Sequence, residues 1–202
     1  MKDFLVVLGG GESGVGAAIL GKEAGFKILV SDAKEIKDKY KQVLLNNRID
    51  FEENGHSEEV FKADLVVKSP GIPEKIEVIQ KMRKLGIPIV SEIEFASNYT
   101  GAKLIAVTGS NGKTTTATLV HHLLKEELNV GLAGNIGESW AKMITEQDPD
   151  YWVLEVSSFQ LDDIMDFKPH IAILTNITPD HLDRYENDFS KYIEAKFRIT
   201  EN

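Results

Sequence analysis

Val107–Thr116 reads VTGSNGKTTT, a glycine-rich turn that closes on Gly-Lys-Thr. The common phosphate loop, G-x-x-x-x-G-K-[ST], needs glycine five residues before Gly112, and Val107 stands there instead. The surroundings are nonetheless those of a phosphate site. A strand-like run (KLIAV) leads in and a helix-forming stretch (TTTATLVHHLLKEEL) leads out. In such a turn the backbone N–H groups of Asn111 to Thr114 face a bound phosphate, Lys113 adds a point charge, and the Thr114 hydroxyl is a Mg²⁺ ligand. Gly109, Ser110, Asn111, Gly112, Lys113, Thr114 and Thr115 are the candidate nucleotide loop; the alternative is a turn without a ligand.

Working outward, short apolar runs alternate with amphipathic stretches along nearly the whole chain. Phe4–Leu8, Lys27–Val30, Asp64–Val67 and Ile87–Val90 read as buried strands. The helical patterns between them are Val15–Ala24, Ala33–Leu45, His56–Lys62 and Glu74–Leu85. After Ser91–Lys103 the pattern restarts, with strands at Leu104–Val107, Val130–Ala133, Tyr151–Val156 and Ile171–Thr175. Helices are expected at Lys113–Leu128, Glu138–Gln147 and Asp188–Glu201. Strands alternating with helices make a parallel sheet covered on both faces. The expected fold is α/β: a Rossmann-like parallel-sheet domain over residues 1–92, then part of a phosphate-loop ATPase domain over 93–202. The second series stops in a helix with no return strand, which reads as part of a longer protein.

Composition narrows the function classes. Net charge is −9, so a broad nucleic-acid surface is not expected. Cysteine is absent, which removes disulfides, thiolate metal sites and cysteine nucleophiles. The apolar start of MKDFLVVLGGGESG is too short for a signal-peptide core or a membrane span, so a cytoplasmic protein without membrane insertion is expected. A monomer is expected.

A second glycine loop, Gly9-Gly10-Gly11-Glu12-Ser13-Gly14, fits G-x-G-x-x-G, and Asp32 follows 18 residues after Gly14, where a ribose-binding acid sits. A helix N-terminus behind glycines favours a diphosphate. The motif invites NAD, or a ligand-free turn, and Glu12 suits a diphosphate only if its carboxylate points away. Glu155 closes the apolar strand YWVLEV; carboxyl ends of parallel strands share one rim, so it can reach a metal held at Thr114. His181 lies in TPDHLDRY on that rim, flanked by Asp180 and Asp183. His56, His121, His122 and His170 read as surface or packing. Lys196 falls within the apolar arc of Phe189, Tyr192, Ile193, Phe197 and Thr200. A buried amine has a lowered pKa, and its neutral form can react with CO₂ to give a carbamate. On pattern alone, a side chain that snorkels to the edge is the better reading of Lys196.

Together these motifs resemble the Mur ligase family of bacterial peptidoglycan synthesis, whose short phosphate loop T-G-[ST]-[NK]-G-K-[ST]-T matches Thr108–Thr115. ADLVVKSPGI (Ala63–Ile72), AGNIG (Ala133–Gly137), LEVSSFQL (Leu154–Leu161), TNITPDHLDRY (Thr175–Tyr185) and EAKFRI (Glu194–Ile199) follow in family order. The resemblance implies ATP-driven amide formation through an acyl phosphate, in the bacterial cytoplasm. It places a UDP-sugar substrate, not NAD, on the first domain, near Ser13, Gly14, Asp32, Ser69 and Gly71. Asn135, Ser157, Gln160 and His181 would border the sugar and the reacting carboxylate. Lys113, His181 and a carbamylated Lys196 would be catalytic, with Thr114, Glu155, His181 and Lys196 around Mg²⁺. The pattern GGGESG…VSDA looks more like the glutamate-adding member, which implies UDP-N-acetylmuramoyl-L-alanine and D-glutamate as substrates. A member adding another amino acid, an NAD-linked oxidoreductase built on the first loop, and a non-catalytic nucleotide-binding module are the alternatives. The family is about twice this length, so the 202 residues are expected to bind but not to ligate.

Overall fold

The computed structural model describes residues 3–201. Ranges that reach Met1, Lys2 or Asn202 extend outside the described residues. The first half runs β1 (Phe4–Leu8), α1 (Glu12–Glu23), β2 (Lys27–Ser31), α2 (Asp38–Asn46), β3 (Asp50–Glu52), a 3-10 turn (Glu58–Lys62), β4 (Leu65–Lys68), α3 (Glu77–Lys84) and β5 (Ile89–Ser91). Its strands form one parallel sheet in the order β3-β2-β1-β4-β5. The second half runs α4 (Glu92–Ser97), β6 (Lys103–Thr108), α5 (Lys113–Leu124), β7 (Val130–Gly134), α6 (Trp140–Glu146), β8 (Tyr151–Glu155), α7 (Ser158–Leu161), β9 (Ile171–Leu174), a 3-10 turn (Leu182–Tyr185) and α8 (Phe189–Phe197). Its parallel sheet is ordered β7-β8-β6-β9. The expected α/β class and two parallel sheets hold.

Several boundaries move, each for a local reason. The helix expected from Ala33 begins at Asp38, because the Asp32 carboxylate accepts from Lys34 N and Glu53 accepts from Ile36 N, holding 33–37 out of helix. The Glu58–Lys62 segment is a 3-10 turn. The connection expected over Ser91–Lys103 contains α4, where the Ser91 side chain accepts from Glu94 N. Strand β3 has no sequence pattern; it forms by pairing with β2, Leu29 opposite Asp50.

The halves share one apolar core, which runs from Leu5 and Val7 of β1 through Ala17 and Ala18 of α1 to Trp140 of α6 and to Trp152 and Leu154 of the second sheet. Small residues make the joint. A Cβ on Gly16 of α1 would lie 1.9 Å from Ser139 Oγ at the head of α6, so the two helices meet at backbone range. Polar bonds cross the same joint. Lys68 of β4 is 3% exposed and pairs with Asp163 at 2.9 Å and Glu74 at 2.6 Å, while Arg83 of α3 donates to Asp163 at 2.9 Å. Within the second half, the Glu94 carboxylate of α4 accepts from the N–H groups of Met165, Asp166 and Phe167.

Glu92 is buried at this joint and accepts from Ser139 Oγ and from Ala141 N. Burial pushes its carboxyl up to about 7, against those two bonds, which pull it down. Its folded value lies above the ordinary 4.5, so the folded chain retains a proton that the unfolded chain releases. The stability this group contributes is complete below that ordinary value and is lost as pH rises through about 7. Between those limits the chain is expected to lose up to about 3 kcal/mol relative to Glu92→Gln. Denaturant unfolding of both chains across that pH series checks it; parallel profiles would show that Glu92 does not titrate there.

Candidate functional site

The phosphate loop leaves β6 through Thr108, whose hydroxyl donates to Val156 O at 2.7 Å. Gly109 and Gly112 carry φ values of +146° and +82°, and a Cβ on Gly109 would lie 1.9 Å from Thr175 Oγ1. Ser110 N donates to Asn176 O at 2.9 Å and Asn111 N to Asn176 Oδ1 at 3.1 Å. The Asn111 N–H, expected to face a phosphate, is therefore committed to the neighbouring loop. Beyond it, the N–H groups of Lys113, Thr114 and Thr115, the first three positions of α5, have no acceptor within the helix. They present partial positive charge to an anion at the helix head. Lys113 Nζ is folded back onto Gly109 O (2.9 Å) and Ser110 O (3.0 Å), two contacts an incoming phosphate would replace.

Register brings Glu155 to this loop, because Val107 of β6 lies opposite Glu155 of β8. Glu155 is 3% exposed. Its Oε2 accepts from Thr114 Oγ1 at 2.6 Å and its Oε1 from Asn135 Nδ2 at 2.9 Å. A buried carboxylate beside a threonine hydroxyl at a helix head is a hard-oxygen donor set that fits Mg²⁺. The rim expected from the sequence brings Thr114, Glu155 and Asn135 together.

Lys196 is 2% exposed and donates to Gly109 O at 2.8 Å, with its Nζ 4.7 Å from the Tyr192 ring centre. It does not snorkel. Burial first, and the charge of Lys113 second, lower its pKa to about 8. The buried face of α8 is Tyr192, Ala195 and Lys196, joined by Ile199 just beyond; Phe197 and Thr200, expected on the apolar arc, are exposed. His181 has φ +50° and its side chain is 56% exposed; its partners are Asp180 and the Phe159 ring, 5.2 Å away. It lies on the expected rim, but no bond links it to Glu155 or Lys196 among the described residues. Among those residues, too, no three His, Asp or Glu side chains gather as a metal cage. His170 accepts from Leu104 N, and His56 bonds Ser31.

A cavity of 420 Å³ opens between the two halves. Ser13, Asp32, Ser69 and Gly71 line it from the first half, and Asn135 and Gln160 from the second. Ser69 Oγ is buried there with no partner, a hydroxyl left over for a ligand. Asp32 accepts from Gly10 N at 2.8 Å, so it also braces the glycine turn. Gly14 lies behind the wall, where a Cβ would meet Gly9 O at 1.9 Å. Ser157 caps α7 in a reciprocal pair with Gln160, and His181 is not part of the lining. Glu12 is exposed and borders the opening. Glu138 and Ser139 also line the cavity and were not singled out from the sequence, although they follow directly on the AGNIG turn.

Two family models match the chain: one described as the Mur ligase middle domain, over residues 107–202, and one as the MurD N-terminal domain, over residues 5–78. The chain is 58% identical over 204 residues to a UDP-N-acetylmuramoylalanine--D-glutamate ligase of Christiangramia forsetii, covering all of this chain and 46% of the relative. It is 56% identical over 200 residues to the protein of the same name from Bacteroides thetaiotaomicron, covering 98% of this chain and 45% of that one. The chain thus spans about half the length of the curated relatives it matches. In fold it is similar to the solved UDP-N-acetylmuramate:L-alanyl-gamma-D-glutamyl-meso-diaminopimelate ligase of Neisseria meningitides (TM-score 0.64, 22% identity, 98% of this chain and 68% of that one). It is also similar to UDP-N-acetylmuramate-alanine ligase MurC of Thermotoga maritima (TM-score 0.62, 23% identity, 100% and 47%).

Proposed function

The chain belongs to the Mur ligase family, and on that premise we propose that it is the N-terminal part of an ATP-dependent ligase that joins D-glutamate to UDP-N-acetylmuramoyl-L-alanine. Residues 1–92 are the UDP-substrate domain and residues 93–202 the beginning of the ATP-binding domain. The reading rests on one observation: the Thr114 hydroxyl and the Glu155 carboxylate meet at 2.6 Å beside the phosphate loop. The cavity lined by Ser13, Asp32, Ser69 and Asn135 opens between the same two sheets.

In this reading Ser13, Ser69 and Gly71 hold the UDP end, with Gly14 shaping the glycine turn and Asp32 bracing it. Asn135, Ser157, Gln160 and His181 border the sugar and the alanyl carboxylate. Lys113 exchanges the carbonyls of Gly109 and Ser110 for the β- and γ-phosphates, and the N–H groups of Lys113–Thr115 receive the phosphate oxygens. A carboxylate oxygen bonds to the γ-phosphorus as the bond to the β–γ bridging oxygen breaks and ADP leaves. The amine of D-glutamate then bonds to the acyl carbon, phosphate departs with the C–O bond pair, and the nitrogen gives up its proton. Thr114 and Glu155 would hold Mg²⁺, which neutralises phosphate charge when bound. Lys196, neutral in part near its lowered pKa of about 8, is suited to carry a carbamate that, with His181 and Glu155, would hold a second Mg²⁺. Anchoring the remote UDP end positions the reacting carboxylate.

The expected partners are small molecules, and the chain is expected to act as a monomer in the cytoplasm; no described helix is long and apolar enough to cross a membrane. Calorimetric titration tests the reading. Residues 1–202 are expected to bind UDP-N-acetylmuramoyl-L-alanine and Mg²⁺-ATP, to ignore NAD, and to release no phosphate when D-glutamate is added. Binding of NAD in place of the UDP substrate would overturn the assignment of the cavity.

A further inference from the structure

Arg184 is in none of the ligand-contacting groups above, yet it joins two of them. It lies in the 3-10 turn Leu182–Tyr185 of the second half and reaches across the joint to the first. Its Nη2 donates to Pro70 O (3.1 Å) and Ile72 O (3.5 Å), and its Nη1 to Gly71 O (3.3 Å). Pro70, Gly71 and Ile72 line the cavity beside the unpartnered Ser69 hydroxyl. The guanidinium sits 4.4 Å above the Phe159 ring, and that ring stacks on Tyr185, which fixes the direction of the fork. Several N–H donors held in one plane suit three convergent carbonyls, whereas a single ammonium does not.

The same stretch of chain grips the phosphate loop at its other end. Ser110 N and Asn111 N donate to Asn176; Ser110 Oγ donates to Thr178 O (2.8 Å) and accepts from Thr178 N (2.9 Å). Tyr185 packs edge-on against Tyr192, whose hydroxyl meets Ser110 Oγ at 3.0 Å. Residues 175–185 are therefore bonded to the nucleotide loop at one end and to the cavity rim at the other.

We propose that Arg184 is a positioning residue that couples occupancy of the phosphate loop to the affinity of the cavity for UDP. It deepens the two-ligand reading given above and rests on it. A triphosphate entering the loop displaces Lys113 from the carbonyls of Gly109 and Ser110. The resulting change at Ser110–Asn111 passes through Asn176–Thr178 to the 3-10 turn, and Arg184 delivers it to the carbonyls beside Ser69. Linkage makes the effect reciprocal: UDP alters nucleotide affinity by the same factor.

The test is calorimetric titration of UDP into residues 1–202, with and without saturating Mg²⁺ and a non-hydrolysable ATP analogue, for wild type, Arg184→Lys and Arg184→Gln. In wild type the ratio of the two UDP dissociation constants is expected to be at least about fivefold, the lower end of common coupling. In both variants the ratio is expected to fall below about twofold. Affinity for the analogue alone is expected to stay within about twofold, because Arg184 does not touch the phosphate loop. A merely structural arginine would weaken binding without changing the ratio. Should Arg184→Gln fail to fold, Arg184→Lys, which keeps the charge and loses the fork, decides alone. An unchanged ratio in Arg184→Lys, or no coupling in wild type that still binds UDP, overturns the coupling and leaves the site assignment standing. No UDP binding by wild type overturns both.

Discussion

Glu155→Gln is expected to leave a folded chain that has lost Mg²⁺-dependent ATP binding by about 100-fold, the upper end of what altering a metal's immediate surroundings costs. The side chain keeps its size, and its carbonyl oxygen still accepts either from Asn135 or from the Thr114 hydroxyl 2.6 Å away. What disappears is the negative charge at the head of α5. Without it a divalent cation meets only neutral oxygens, which suit Mg²⁺ poorly. Titration of Mg²⁺-ATP, with EDTA as the control, measures the loss. A variant that binds Mg²⁺-ATP as wild type does would remove Glu155 from the metal and leave Thr114 without its acid partner.

The second large effect concerns the joint. Asp163→Ala is expected to cost about 3–5 kcal/mol, the usual penalty for breaking a buried ion pair from one side. Lys68, almost fully buried, would keep the half-exposed Glu74 as its one carboxylate beside the Ile72 carbonyl, and Arg83 would lose its buried acceptor. For a chain of this length that corresponds to a fall in melting temperature of roughly 10 °C. The double change Lys68→Met with Asp163→Leu, which removes both charges, is expected to recover most of it. If the single variant melts within about 2 °C of wild type, the pair is solvated in solution and does not clamp the halves.

Much of this architecture was legible in the chain, because the strands that form the sheets are apolar runs between glycines. Phe4–Leu8 was read with its observed ends, and the phosphate loop and Glu155 followed from their places beside such runs, whereas the burial of Lys196 ran against the snorkelling side chain that its pattern alone favoured. What escaped has a common physical cause: its partners are remote in sequence. Asp50–Glu52 is a strand only because Leu29–Ser31 lies beside it. Glu92 and Glu94 fall in the stretch where a domain boundary was expected, yet they are buried, since Ser139, Ala141 and the turn at Met165–Phe167 supply their donors. Arg184 was visible as part of a motif, but its acceptors lie more than a hundred positions earlier. Charged residues that serve a distant backbone leave no periodicity to read.

The close approach of Gly16 to the Ser139 side chain, set within an apolar core that both sheets share, carries a consequence for anyone dividing this protein. A cut through the connection after α4 would not release two self-sufficient pieces. Each would present a raw hydrophobic wall, with alanines of α1 on one side and tryptophans on the other, and each would be prone to clump. The gene segment is better handled as one indivisible block.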